Sequence, residues 1–299
     1  MTDRPLVSIA LPAFNASRTI RVAVESVIWQ TYDDWELLVL DDGSSDATAS
    51  IVNDIRDPRI RVVSDGRNRG LAWRLNQAMD LARGPLFARM DADDIAYPAR
   101  LDKQVRFLRA HAEVDLLATR ALAFRSDGTI RGVLPFRQSH AEICRRPWAT
   151  LPLPHPTWMG RLAWFRAYRY RIPEVKRAED HDLLLRAYLR SRFACLPEVL
   201  LGYRQDGFSL DRQLKARLHL AGAHLRAHLH AGHAGYAVLA VSLQAAKAIA
   251  DALASLPGLS SLYFARVGGA VTDEDRAEWE KIWRQAERWT GIAPPAPAG

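Results

Sequence analysis

Leu86-Phe87-Ala88-Arg89-Met90-Asp91-Ala92-Asp93-Asp94 is the stretch on which the reading of the chain turns. Leu86 to Met90 reads as a short strand, and three carboxylates follow it within four residues. Carboxylates crowded at a strand end repel one another, which is costly unless a cation neutralises them. Hard oxygen ligands suit Mg²⁺ or Mn²⁺, ions that take few protein carboxylates and complete their shell with water or substrate phosphates. A solvated acidic turn would carry the same letters, so the neighbouring segments have to decide.

Upstream, strand and helix signals alternate. Leu6–Leu11, Trp35–Leu40 and Arg59–Val63 are aliphatic, β-branched runs that read as strands. Ser17–Gln30, with Ile20, Val24, Val27 and Ile28 at helical spacing, reads as a helix, as do Ala47–Ile55 and Leu71–Ala82. Such alternation implies right-handed βαβ units on a mostly parallel sheet, whose ligands bind beyond the carboxyl ends of the strands. Polar clusters stand at those ends: Pro12-Ala13-Phe14-Asn15 after the first strand, and Asp41-Asp42-Gly43-Ser44-Ser45-Asp46 after the second. Ser44, Ser45 or Asp46 can cap the next helix, but capping does not require Asp41 and Asp42.

Downstream, a helix is expected from Pro98 to about His111, then a hairpin of Asp115–Phe124 and Thr129–Leu134 around Ser126-Asp127-Gly128. A proline-rich loop follows, and Glu179–Arg190 reads as a helix. From about Ser209 the chain turns into Ala-, Leu-, His- and Arg-rich helix; Asp273–Thr290 is a last helix, and the Ala-Pro tail from Ala293 reads as disordered. With 299 residues, 48% of them hydrophobic and 25% charged, the composition is that of a globular protein with a sizeable core. The net charge of +7 favours anionic partners such as nucleotides or lipid surfaces. Cys144 and Cys195 form no Cys-x-x-Cys pair, and no secretory signal precedes the first strand. Ser242, Gln244, Lys247 and Asp251 interrupt the longest apolar stretch and argue against a spanning helix. A cytoplasmic protein, possible at the inner membrane face as a peripheral one, is the expectation.

Leu11–Asn15, Leu40–Asp46, Asn68-Arg69-Gly70 with Asn76, and Arg89–Asp94 with Pro98 and Arg100-Leu101 together resemble the family 2 glycosyltransferases in order and spacing, with a weaker match to about Arg204. The resemblance implies an α/β GT-A fold, a Rossmann-like nucleotide-binding half (1–110) and an acceptor half (111–208) around a mixed central sheet. A C-terminal helical region (209–292) and a tail (293–299) would follow. It implies transfer, with inversion, of a sugar from a nucleoside-diphosphate donor, UDP favoured, to a saccharide or lipid-linked saccharide hydroxyl. Residue by residue, Pro12, Ala13, Phe14 and Asn15 would line the nucleoside pocket, with Asn68, Gly70 and Ala92 beside them. Asp42 would contact the base with Asp41 in support, Asp91 would face the ribose, and Asp93 would hold Mn²⁺ or Mg²⁺, with Asp94 accessory. Arg69 or Arg74 would be the candidate for phosphate. Asp180, in Ala178-Glu179-Asp180-His181-Asp182-Leu183, would be the catalytic base with Glu179 beside it, and His155 would approach metal or acceptor. Leu184 stands where the family often has Trp.

Two competing readings are a sugar nucleotidyltransferase and a nucleotide-binding module without catalysis. The first wants a Gly-rich basic loop after the first strand, which Pro12–Asn15 is not; the second wants Asp93 or Asp180 lost, and both are present. The basic, aromatic stretch Arg161–Arg177 reads as a half-buried strand with a solvated basic face, and no nucleic-acid motif accompanies it. His219, His224, His228, His230 and His233 read as a polar helix face rather than a metal site.

Overall fold

The computed structural model describes residues 4–172, 178–207, 209–255 and 269–290. Lys176, Arg177, Leu262-Tyr263-Phe264 and the tail from Ala293 lie outside them. One mixed sheet runs through the molecule in the order β3-β2-β1-β4-β8-β6-β9-β5, with β7 paired to β6. Strands β1 (Val7–Ala13), β2 (Trp35–Asp41), β3 (Ile60–Ser64) and β4 (Leu86–Arg89) are parallel. They alternate with α1 (Ile20–Ile28), α2 (Thr48–Asn53) and α3 (Leu71–Leu81), as the sequence pattern requires. Antiparallel β8 (Met159–Arg161) joins β4 to β6 (Leu116–Phe124), and β9 (Phe193–Arg204) runs parallel to β6. β5 (Ile95–Ala96) and β7 (Ile130–Val133) pair antiparallel with β9 and β6. All seven residues of β1 and of β2 are buried, because helices cover both faces. The acidic residue in the middle of β2 is satisfied: Ser8 Oγ donates to Glu36 at 2.7 Å, and the Arg83 side chain donates to Glu36 at 2.7 Å. Gly84 is obligatory beside it, since a Cβ there would meet the Leu6 carbonyl oxygen at 2.2 Å.

Three expectations change in the folded chain. The basic, aromatic stretch is helix rather than strand: after the three residues of β8, Leu162–Tyr168 forms α6 (after α4, Arg100–Ala110, and α5, His140–Ile143). Trp164 and Phe165 enter the core, and Arg166 donates to the Met79 and Ala82 carbonyls that end α3. Arg166 thus stays at the solvent-exposed surface while its guanidinium caps the end of α3. The histidines around α8 (Leu210–His230) form a polar face only in part: His230 and His233 are exposed and His219 is half-buried. His224 and His228 are buried, with His224 Nδ1 3.5 Å from His228 Nε2, and burial pushes the His224 imidazole down to about 3, so it is neutral.

The C-terminal region also divides. α8 and α9 (Ala234–Ala254) form a hairpin against α7 (Glu179–Ala187), whereas α10 (Asp273–Thr290) lies on the main core. Trp279 is 2% exposed, its ring 4.5 Å from Phe124, and its Nε1 donates to the Gly128 carbonyl at 2.9 Å. Trp289 meets Trp29 of α1 edge-on at 5.4 Å. The last helix is thus part of the sheet's cover, which the change in composition near Ser209 does not announce. Trp279→Ala is expected to cost about 3–5 kcal/mol by cavity formation. Urea denaturation checks this, with Trp279→Phe losing much less; a cost below about 1 kcal/mol would mean that α10 is dispensable to the core.

Candidate active site

Four strand ends converge on one edge. The loop after β1 is stapled to the loop after β2: Ser45 N donates to Asn15 Oδ1 at 2.9 Å, Asn15 N to Ser44 Oγ at 3.0 Å, and Ala16 N to Thr48 Oγ1 at 2.8 Å. Asn15 holds φ at 49°, a left-handed conformation uncommon outside Gly, Asn and Asp, so the staples hold a locally unfavourable turn. Phe14 is left 51% exposed on its crest. Asp46 accepts from Thr48 N and Ser17 N, tying the two loops together one residue before the N-cap, Ala47, rather than as the cap itself.

Pro12, Phe14, Asn15, Asp91, Ala92, Asp93 and Arg204 line one cleft of about 600 Å³. An aromatic ring, backbone at a strand end and two carboxylates therefore share a wall. Ala13 is buried at the end of β1. Asn68 is exposed, and Gly70, at φ 89°, leads into α3.

Asp42 is held differently from the expectation. Its Oδ1 accepts from Arg69 N and Arg74 Nε, both at 2.8 Å, and its Oδ2 accepts from Gly70 N at 2.9 Å. The carboxylate thereby orders the 67–70 loop, and a base N–H would have to share Oδ2. Asp41 is likewise engaged, accepting from Ser64 Oγ at 2.8 Å and Ser44 N at 3.2 Å. Arg74 is fully buried, spent on Asp42, Asp65, Gln77 and the Arg67 carbonyl, so it does not reach a phosphate. Arg69 is paired with Asp65 at 2.6 Å and stacks over Trp73. Arg74→Met would leave the buried Asp42 charge without its cation, a loss expected at about 3–5 kcal/mol. Chemical denaturation and nucleotide titration together check it, since unchanged stability would show that Asp42 is solvated.

Beyond β4 the carboxylate oxygens of Asp91, Asp93 and Asp94 lie within 4.8 Å of one another. Asp93 faces the cleft, while Asp94 is buried with Oδ1 accepting from Arg204 N at 2.9 Å and Oδ2 unpartnered. Crowding by protein and the Asp91 charge push Asp93 up to about 6, and burial with the same neighbours pushes Asp94 well above the usual carboxylate range. An all-oxygen donor set, mutual repulsion and an orphaned buried carboxylate oxygen fit a divalent cation of the Mg²⁺ or Mn²⁺ type.

Arg89 is the residue that the sequence reading passed over. Its Nη2 pairs with Asp91 Oδ1 at 2.6 Å, and its Nε and Nη1, both buried, have no hydrogen-bond partner. Burial works against its charge, but Asp91, Tyr170, Glu179 and Asp94 around it prevail and hold it protonated. The signal was present: a lone charge inside an otherwise apolar strand needs a partner.

The acceptor-side residues lie across Arg89. Burial, then the adjacent Asp180, pushes Glu179 up to about 7. Burial would raise Asp180 too, but His181 beside it, through charge and hydrogen bonding, holds it well below the ordinary range, so it is ionised. His181 N donates to Asp180 Oδ1 at 2.8 Å, and the His181 Nε2 lies 3.4 Å from Thr150 Oγ1. His155 is buried and makes a 2.7 Å contact to Tyr170 Oη, with Tyr170 clasped through its backbone N–H and carbonyl by Asn76. Burial and Arg89 keep His155 neutral. The helix begins at Ala178, itself at φ 59°, so Glu179 and Asp180 occupy a first turn that favours negative charge.

Residues 8–169 match the model of "Glycosyl transferase family 2". A "Putative glycosyltransferase EpsE" from Bacillus subtilis (strain 168) is 33% identical over 221 residues, 71% of this chain and 78% of that protein. An Escherichia coli protein named "UDP-Glc:alpha-D-GlcNAc-diphosphoundecaprenol beta-1,3-glucosyltransferase WfgD" is 41% identical over 106 residues, 36% of this chain and 42% of its own. Among solved structures, S. aureus TarS 1–349 with UDP-GlcNAc superposes at a TM-score of 0.61 with 19% identity, over 96% of this chain and 83% of that one. The mannosyltransferase PcManGT from Pyrobaculum calidifontis, in complex with GDP-Man and Mn²⁺, gives 0.60 and 21% over 97% and 84%. With its motif order, its sheet and these similarities in agreement, the chain belongs to glycosyl transferase family 2 and has the GT-A fold.

Proposed function

We propose that this glycosyltransferase takes its sugar from a UDP-sugar, inverts the anomeric carbon and serves the synthesis of a surface polysaccharide or glycoconjugate. One observation carries the reading: Glu179, next to an ionised Asp180 held by His181, faces the same buried Arg89 cation as a cluster of three crowded carboxylates, two of which line a nucleotide-sized cleft.

Phe14 offers a face for the base, with Pro12 to Asn15 shaping its rim, and Asp42 Oδ2 retains a lone pair for a base N–H. Asp91 faces the ribose side. Asp93, with Asp91 and Asp94, would hold Mn²⁺ or Mg²⁺, which when bound neutralises charge on the departing diphosphate. Arg89 holds Asp91 in place and separates its charge from that of Glu179. Asp180 accepts the proton of an acceptor hydroxyl as that oxygen forms its bond to the anomeric carbon and the bond to the diphosphate breaks. A single displacement from the opposite face inverts configuration without a covalent intermediate. UDP is favoured by the UDP-glucose named for a relative and the UDP-GlcNAc bound by a structural neighbour. Surface polysaccharide is supported by the names of relatives such as succinoglycan biosynthesis protein ExoO.

Calorimetric titration with UDP and with GDP, each with and without Mn²⁺, tests the donor side. Metal-enhanced UDP binding at least tenfold tighter than GDP is the expected result. Tighter GDP binding would transfer the proposal to a GDP-sugar, and NMR of the product's anomeric proton decides inversion.

A further inference from the structure

The α8–α9 hairpin is built inside out. On α9 the buried positions include Gln244 and Asp251, and the Arg217 guanidinium of α8 donates to Asp251 at 3.0 Å and to Gln244 at 3.4 Å. The outward positions are Val238, Leu239, Val241, Ile249 and Leu253 among alanines and Ser242, with Val238 66% and Ile249 63% exposed. From Ala234 to Leu253 no exposed residue is charged. Polar groups inside and apolar groups outside reverse the ordinary pattern of a water-facing helix.

At 3.6 residues per turn, the exposed positions from Val238 to Leu253 spread over an arc of about 160°. The seam of a helix pair is a narrow a/d stripe, so this breadth matches a continuous apolar medium better than one partner helix. α8 repeats the theme with exposed Leu218, Leu225 and Leu229; beside that stripe stand exposed Arg226 and His230, and at its N-terminal end Lys215 pairs with Asp211 at 2.8 Å. Long cations at the border of a leucine stripe reach anionic headgroups while their stems stay in the apolar layer. By length and a mean hydropathy of 1.3, Ala234–Leu253 would also suffice to cross a membrane. Its inner face is packed on protein, however, through α8 to α7, where Arg226 lies 4.0 Å from Asp182. Only the outer face is left for lipid.

We propose that the outer face of the α8–α9 hairpin lies in the interfacial layer of an anionic bilayer and anchors the enzyme there. This rests on the exposure pattern alone and stands whether or not the donor is UDP.

Flotation of the full chain with vesicles of phosphatidylglycerol and phosphatidylethanolamine tests it. Expected are binding to these vesicles, weaker binding to phosphatidylcholine alone, and a loss of at least roughly tenfold in partitioning for the Val238→Glu/Ile249→Glu pair. Both side chains are exposed, so circular dichroism should stay that of the native chain. Binding that survives the double substitution overturns the assignment. So does a concentration-dependent dimer in lipid-free buffer that the same charges dissociate, which gives the face to a second copy. A stable monomer that ignores all vesicles overturns it as well, and points to cover by the chain's own 256–268 segment.

Discussion

Asp180→Asn is expected to lower turnover by about 10³-fold while UDP and Mn²⁺ bind as before. The substitution keeps the shape of the side chain and its hydrogen bond from His181 N, and removes only the capacity to take a proton. Because His181 holds Asp180 low, protonation of Asp180 should not itself lower the rate of the metal- and UDP-saturated enzyme within the ordinary carboxylate range. Glu179, pushed up to about 7, adds a second ionisation beside it. Below that value Glu179 is neutral and Asp180 alone bears the charge; above it two charges face Arg89. Glu179→Gln should therefore retain catalysis and erase the inflection near 7 in the pH–rate profile. Full activity in Asp180→Asn would remove Asp180 from the mechanism, and the inflection surviving in Glu179→Gln would assign it to another group.

Asp93→Ala should weaken Mn²⁺-dependent UDP binding on the order of a hundredfold, about 2.7 kcal/mol, while metal-free binding changes little. The sign of its effect on stability is opposite. An acid whose folded-state pKa is raised binds its proton more tightly when folded, so the folded state gains stability as pH falls from neutrality through about 6 towards the unfolded value near 4. Asp93→Ala relieves the same repulsion without a proton, and its metal-free Tm should rise by a few degrees. Mn²⁺ should raise the Tm of the wild type and leave that of the variant unchanged. Since metal and proton compete for the carboxylate, Mn²⁺–UDP affinity should decline below about pH 6. A wild type whose Tm ignores Mn²⁺ and Mg²⁺ would count against a metal held by these carboxylates.

The parallel half was legible from local pattern. Each of β1 to β4 is an apolar run bounded by turn residues, each helix between them keeps one apolar stripe, and both periodicities depend only on near neighbours. The same holds for the site's position, because polar residues at a strand's carboxyl end stay at that edge wherever the strand pairs. Asp91, Ala92 and Asp93 share a cleft with Pro12, Phe14 and Asn15 for that reason. Tertiary structure decided what each of those groups is bonded to. Asp42 is committed to Arg69, Gly70 and Arg74, His155 depends on Tyr170, and Asp91 is held by Arg89 from within the strand. It likewise laid Trp279 on the core and turned the polar side of α9 inward, 27 to 34 residues from the Arg217 that it meets. Contacts between distant segments depend on how packed layers meet, and periodicity records which side of a helix is apolar without recording what stands opposite it.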